Sequence, residues 1–272
     1  MRALLILNEY SRLGRREGAR TCSALERAGV RCTGEPSARV DAVVAAGGDG
    51  TVTRAIRLVL ERDVPLGIVP LGTFNDLART LGIPSEIERA CNAIGAGRTR
   101  AVDIGRVNGC YFVNEASIGL SARAARRQTP EIKQRFGALG VVATGLQTLA
   151  RTRAFSAELR YDGMSERVRT LQITVANSGR FGGIIHREDA SIDDGWLDLY
   201  SIEPRSVLDA FALARKIIKR DPTSGEGLRT RRAARFTIVT RRPHRISADG
   251  EPAGVTPATF EVLAKAVRVL VP

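Results

Sequence analysis

Three short apolar runs punctuate the first seventy residues, at 3–7, 40–46 and 64–69, each long enough for one buried strand. Segments of helical period separate them. Residues 17–28 read as a helix, with a short strand behind it at 30–33. After the second run, Val52, Ile56, Val59 and Leu60 recur on one helical face. After the third, a helix carries Leu77 and Leu81 and stops before Pro84. A helix at 86–96 and a strand at 101–106 complete the series. Strand–helix alternation of this kind predicts an α/β domain on a parallel sheet.

Past residue 110 the pattern changes. A strand is expected at 111–120, ending in a glycine turn. A helix is expected at 131–152, with Phe136, Leu139, Val142, Leu146 and Leu149 at helical spacing. Short strands separated by turn residues follow at 157–161, 165–170 and 171–177, which suggests an antiparallel β layer. An amphipathic helix at 205–221 and strands at 236–240, 259–263 and 266–271 close the chain. The last two strands have the position to return to the first domain.

Charge adds to this picture. The chain has 272 residues, enough for two domains, and a formal net charge of +13. Such an excess favours polyanions: nucleic acid, anionic lipid surfaces or nucleotides. The basic residues are densest on one face of the 205–221 helix and among the seven arginines between Arg229 and Arg245. Aromatic residues make up 5% of the chain, so base stacking has little to work with, and no nucleic-acid module motif accompanies the arginines. Three readings compete for these residues, a solvated face, a nucleic-acid patch and a docking face for anionic lipid, and the membrane surface is favoured over nucleic acid. The cysteines at 22, 32, 91 and 110 lack CxxC spacing, which argues against a zinc site or a disulfide framework and suits a reducing cytoplasm. No apolar run approaches bilayer-spanning length, and the run at 3–7 is too short for a secretory signal.

The candidate chemistry sits at the strand–helix turns. Gly47-Gly48-Asp49-Gly50-Thr51 joins the second strand to its helix. Glycines there let a ligand approach the main chain, and the amides of the helix start offer an anion site. Asp49 could hold a Mg²⁺ that is itself bound to phosphate oxygens. The next turn, Pro70-Leu71-Gly72-Thr73-Phe74-Asn75-Asp76, again carries glycine, threonine and aspartate. Two such turns at the carboxyl ends of adjacent parallel strands occupy the place where open α/β sheets bind ligands. Two other stretches stand out: the acidic loop at 189–198 and Asp249-Gly250-Glu251, which in isolation is a turn signal.

GGDGT followed by PLGTFND resembles the catalytic domain of the diacylglycerol kinase family, which includes bacterial lipid kinases and the sphingosine kinases. GGDGT alone is shared with NAD kinases and phosphofructokinases, so the second motif discriminates. The resemblance implies a nucleotide-binding α/β domain, NAD kinase/phosphofructokinase-like, at 1–103, to which residues from about 260 to 272 return. It implies a β-rich lipid-substrate domain at 104–259 and an active site in the cleft between the two. ATP would be held by Asn8, Ser11, Gly47, Gly48, Asp49, Gly50, Thr51, Gly72, Thr73, Asn75 and Asp76. Asp49 would position Mg²⁺, and Glu251 of Asp-Gly-Glu would be the base for a lipid hydroxyl. The Asp194 side chain, with the carbonyls of Ser191 and Trp196, would hold a structural Mg²⁺.

The chain also departs from the family pattern. The proline and glycine usual beside Asn8 and Ser11 are missing, the segment from 14 to 40 is short, and Thr53-Arg54 replaces a common Asn-Glu. The implied partners are a lipid substrate and an anionic membrane surface, with no nucleic acid. The implied location is the cytoplasm, peripheral to the inner membrane face, and a homodimer is left open. The competing functions are a kinase of a soluble substrate and a non-catalytic nucleotide- or lipid-binding homologue.

Overall fold

A computed structural model describes residues 1–7, 12–119, 153–177, 180–181, 185–186, 191–203 and 227–272. Asn8, Ser11 and the helices expected at 131–152 and 205–221 lie outside the described residues. The chain divides into two compact units. One comprises Met1–Ile104, Ile192–Gly195 and Leu263–Pro272, and the other Gly105–Ser191 and Trp196–Val262.

The first unit is built from β1 (Arg2–Leu7), α1 (Arg12–Arg27), β2 (Arg31–Thr33), β3 (Ala42–Gly47), α2 (Asp49–Arg62), β4 (Leu66–Pro70), α3 (Asp76–Thr80), α4 (Ile87–Ala96) and the start of β5 (Thr99–Val107). The strand order is β2-β1-β3-β4, with every pair parallel. β3 is buried along its whole length, which is why its sequence, AVVAAG, runs apolar without alternation. Val52, Ala55, Ile56 and Val59 of α2 are buried as the helical spacing requires. The core of this unit gathers Leu25, Val44, Val69, Cys91 and Ile94. Burial pushes the Cys91 thiol up to about 12 and the Cys32 thiol to about 11, and all four cysteines are free.

The second unit is antiparallel. β5 leads into β6 (Cys110–Phe112), β7 (Glu115–Gly119), β8 (Phe155–Tyr161), β9 (Met164–Thr170), β10 (Gln172–Ala176), β11 (Arg180–Phe181), β12 (Ile185–His186), β13 (Leu197–Ile202), β14 (Leu228–Ala233), β15 (Arg235–Thr240), β16 (Arg245–Ala248), β17 (Glu251–Val255) and β18 (Ala258–Leu270). One sheet runs β14-β13-β10-β7-β16-β17. In another layer β15 pairs with β8, β8 with β9, and residues 258–261 of β18 with β15. Ala157, Leu159 and Tyr161 alternate inward from β8 onto Phe236 and Phe260, which are fully buried.

Two expectations change here. The single strand expected at 111–120 is split at Val113 and Asn114, whose amides are bonded elsewhere. The two strands expected after residue 258 are one 13-residue strand, interrupted by Lys265 at a left-handed φ of 52°. Val269, near its end, pairs in parallel with Leu66 of β4.

The arginine-rich stretch is largely neutralised by pairing. Arg229 bonds Glu166 and Glu203, and Arg231 bonds Glu166 and the Tyr161 hydroxyl. Arg235 bonds Glu261, and Arg232 lies 3.9 Å from Asp198. The Arg231 hydrogen bond and the two guanidinium charges hold the Glu166 carboxyl down, from an ordinary 4.5 to about 2. Arg241, Arg242 and Arg245 remain exposed.

Candidate active site

The two glycine turns begin side by side because the strands that feed them are adjacent and in register. Gly47 pairs with Pro70 across β3 and β4, and the Leu71 N–H donates to the Gly47 carbonyl at 2.9 Å. Beyond that point the turns touch. A Cβ on Gly72 would lie 2.4 Å from the Gly48 Cα, so no side chain fits between them. Gly48 is the N-cap of α2, in extended conformation, and the next residues enter the helix at once. The first turn of α2 therefore presents the amides that every helix start leaves without intrahelical partners.

Side chains from the motifs fix this arrangement. Asn75 adopts a left-handed conformation, with φ 51° and ψ 47°, and its amide brackets Gly72. The Gly72 N–H donates to Asn75 Oδ1 at 2.9 Å, and Asn75 Nδ2 donates back to the Gly72 carbonyl at 2.9 Å. Across the turns, Asp49 Oδ1 accepts the Asp76 N–H at 2.8 Å, so the carboxylate of the first motif caps the helix of the second. Asp49 keeps a second carboxylate oxygen with its own lone pairs. Asn75, expected as a nucleotide contact, thus shapes the turn through Gly72.

Two features fit an anionic ligand. The Thr51 hydroxyl is buried without a hydrogen-bond partner among the described residues, in a residue only 2% exposed. It abuts Gly47, where a Cβ would stand 2.2 Å from it. Around Gly50 the space a Cβ would fill is open, and Thr73 is exposed on the second turn. The structure thus brings Gly47, Gly48, Asp49, Gly50, Thr51, Gly72, Asn75 and Asp76 into one pair of linked turns.

The acidic loop is organised by a residue that no motif or periodicity singles out. Asp103 is fully buried. Its N–H donates to the Ile192 carbonyl at 2.8 Å, Oδ2 accepts the Gly195 N–H at 2.6 Å, and Oδ1 accepts the Lys265 N–H at 2.6 Å. Asp193 pairs with Arg100 at 2.7 Å. Asp194 belongs to the first unit, Ser191 and Trp196 to the second, and Trp196 is 43% exposed. Among the described residues no cluster of three or more His, Cys, Asp or Glu side chains could hold a metal ion.

Glu251 is exposed at the start of β17, in the second unit, opposite Ala248 of β16. Asp249 and Gly250 between them have φ of 45° and 89°. Two positive central φ values make this a type I′ hairpin turn, for which Asp-Gly is a favoured pair.

Comparison with known proteins agrees with these features. Residues 2–107 match the diacylglycerol kinase catalytic domain, and residues 114–271 match the YegS C-terminal NAD kinase beta sandwich-like domain. The chain is 30% identical over 238 residues to a diacylglycerol kinase of Bacillus subtilis, with 85% of this chain and 78% of that protein covered. It is 27% identical over 235 residues to a diacylglycerol kinase of Staphylococcus aureus, with 85% of this chain and 75% of that protein covered. A solved protein of Bacillus anthracis, described as a candidate diacylglycerol kinase, superposes with a TM-score of 0.82 at 25% identity, covering 100% of this chain and 95% of that one. The chain belongs to the diacylglycerol kinase catalytic-domain family and is a kinase-type phosphotransferase.

Proposed function

We propose that the protein transfers the γ-phosphoryl group of ATP to the primary hydroxyl of diacylglycerol or a related lipid. The observation that carries the reading is the locked pair of turns, in which Gly48 meets Gly72 and the Asp49 carboxylate caps the Asp76 amide. Phosphoryl transfer needs phosphates held in line, charge neutralised, and a hydroxyl relieved of its proton. Main-chain amides at Gly48 and Gly50, with the hydroxyls of Thr51 and Thr73, supply phosphate donors, while the Gly72 amide is spent on Asn75. Glu251 accepts the proton of the attacking hydroxyl as general base.

Asp49 and Asp76 are the carboxylates that would hold Mg²⁺ at the phosphates, and Asp194 with the Ser191 and Trp196 carbonyls would hold a structural one. All-oxygen ligation suits a hard divalent cation, and when bound at the phosphates it neutralises their charge. Exposed Arg241, Arg242 and Arg245 support peripheral docking on anionic lipid. Among the described residues no helix is long and apolar enough to cross a membrane.

The test is transfer of labelled γ-phosphate from ATP into a lipid extract, by wild type beside Asp49→Ala and Glu251→Gln. Wild type should label one lipid, and both folded variants should lose at least a hundredfold in rate, within the range for loss of a general base. Label in a water-soluble product instead would point to a soluble acceptor.

A further inference from the structure

We infer that Asp249 is a positioning residue for the reaction: its carboxylate fastens the hairpin that carries Glu251. The inference rests on the reading of Glu251 as the base. Three consecutive peptide N–H groups point at this one side chain. Val113 donates to Oδ2 at 2.7 Å, and Asn114 and Glu115 both donate to Oδ1 at 3.0 Å. The Asp249 N–H donates in the other direction, to the Glu115 carbonyl at 2.8 Å. Hydrogen bonds to a carboxylate are the strong kind, and three on one group form an anion nest filled by the protein's own residue.

The segment held in this way is bracketed from its other side by Asn177. Its Nδ2 donates to the Val113 carbonyl at 3.1 Å, and its N–H donates to the Asn114 carbonyl at 2.9 Å. Between them, Asp249 and Asn177 bond all three N–H and all three C=O groups of residues 113–115. This explains why β6 and β7 are separate strands, and it anchors the hairpin tip to β7. Asp249 reaches the amides because it sits at φ 45°. That conformation belongs to the I′ turn and favours Asn, Asp or Gly.

Glu251 follows two residues later. Its side chain is exposed, and no neighbour is needed to hold it if the backbone beneath it is fixed. A base must lie within hydrogen-bond reach of the proton it takes, and a misplacement of about 1 Å costs on the order of a hundredfold in rate. The Asp249 carboxylate supplies that fixity. It touches neither substrate nor phosphate in this role.

Asp249→Asn separates the carboxylate from the turn, because Asn also tolerates the left-handed conformation while its Nδ2 cannot accept an amide proton. In the whole protein we expect a roughly ten- to hundredfold fall in kcat, with KM for ATP unchanged and protection of the Val113–Glu115 amides against hydrogen exchange weakened, most at Val113, whose acceptor Oδ2 becomes an NH2 donor. Glu251→Gln should lose about a hundredfold or more in kcat while those amides stay protected. Full kcat in Asp249→Asn, or rapid exchange of these amides in wild type, overturns the inference. A fall in kcat matched by a rise in KM for ATP also overturns it, because that would be general loosening rather than placement of the base. Full activity in Glu251→Gln overturns the base reading instead, and the latch then stands or falls on the exchange data alone.

Discussion

The glycine turns of the first unit and the Asp-Gly-Glu hairpin of the second use the same two components in opposite senses. In the first unit, side chains hold the backbone of the two turns in place. Asn75 brackets Gly72, and Asp49 caps Asp76. In the second unit, backbone amides hold a side chain so that a neighbouring residue is placed. Val113, Asn114 and Glu115 direct their N–H groups at Asp249, two residues from Glu251. One arrangement makes a binding surface from main chain, and the other makes a rigid mount for a carboxylate. Damage to the first should therefore appear in nucleotide affinity, and damage to the second in turnover.

The largest effect expected on the binding side is Gly72→Ala. The new methyl would lie 2.4 Å from the Gly48 Cα and 2.6 Å from Asn75 Oδ1, and backbone cannot yield as a flexible side chain does. A cost of about 3 kcal/mol is in the range for such forced changes, or roughly a hundredfold in the ATP dissociation constant measured by titration calorimetry. ATP affinity within twofold of wild type would break the comparison at its first term.

Asn75→Ala removes two hydrogen bonds and puts Ala in a left-handed conformation. It should weaken ATP binding by about 1–3 kcal/mol, a factor of about 5 to 150. Asn75→Gly restores the conformation alone, so its affinity should stay well below wild type. Full recovery in Asn75→Gly would mean that backbone conformation, rather than the bracket, sets the turn.

A smaller effect, confined to the second unit, follows from Glu166. Its carboxyl titrates near 2 when folded and near 4.5 when unfolded, so its contribution to stability is present above about pH 4.5 and is lost as pH falls toward 2. Glu166→Gln should lower the melting temperature at neutral pH and flatten the acid side of the stability curve over that window. ATP affinity at neutral pH should not move.

The smallest effect is on membrane docking. Replacing Arg241, Arg242 and Arg245 together should weaken binding to vesicles of anionic phospholipid by up to about 1 kcal/mol per residue, and only at low salt. Binding to zwitterionic vesicles should be unaffected, and equal loss on both would remove the electrostatic reading.

How much of this was legible in the sequence follows from how local each feature is. The parallel sheet and both glycine turns were readable, because apolar runs, glycines and helix starts lie within a few residues of one another. The bond from Asp76 to Asp49 was not, since its partners are 27 residues apart. The Asp249 nest joins residues 134 to 136 positions apart, and the Asp103 hub reaches Gly195 and Lys265 at separations of 92 and 162. No periodicity reports such contacts. Asn75 was found by its motif, but its bracket on Gly72 was not, because motif spacing identifies the turn without saying which way a side chain faces. The arginines of β14 looked like one basic surface for a related reason: Glu166 and Glu203 approach them from other segments of the chain.

We propose that affinity for nucleotide resides in the first unit's turns and the chemical step in the carboxylate of Glu251. The most direct measurement is the ATP dissociation constant and kcat of Glu251→Gln beside wild type under the same conditions. A loss in kcat of about a hundredfold or more is expected, with the dissociation constant unchanged. A dissociation constant that rises in step with the loss of kcat, or a kcat that does not fall, would contradict it.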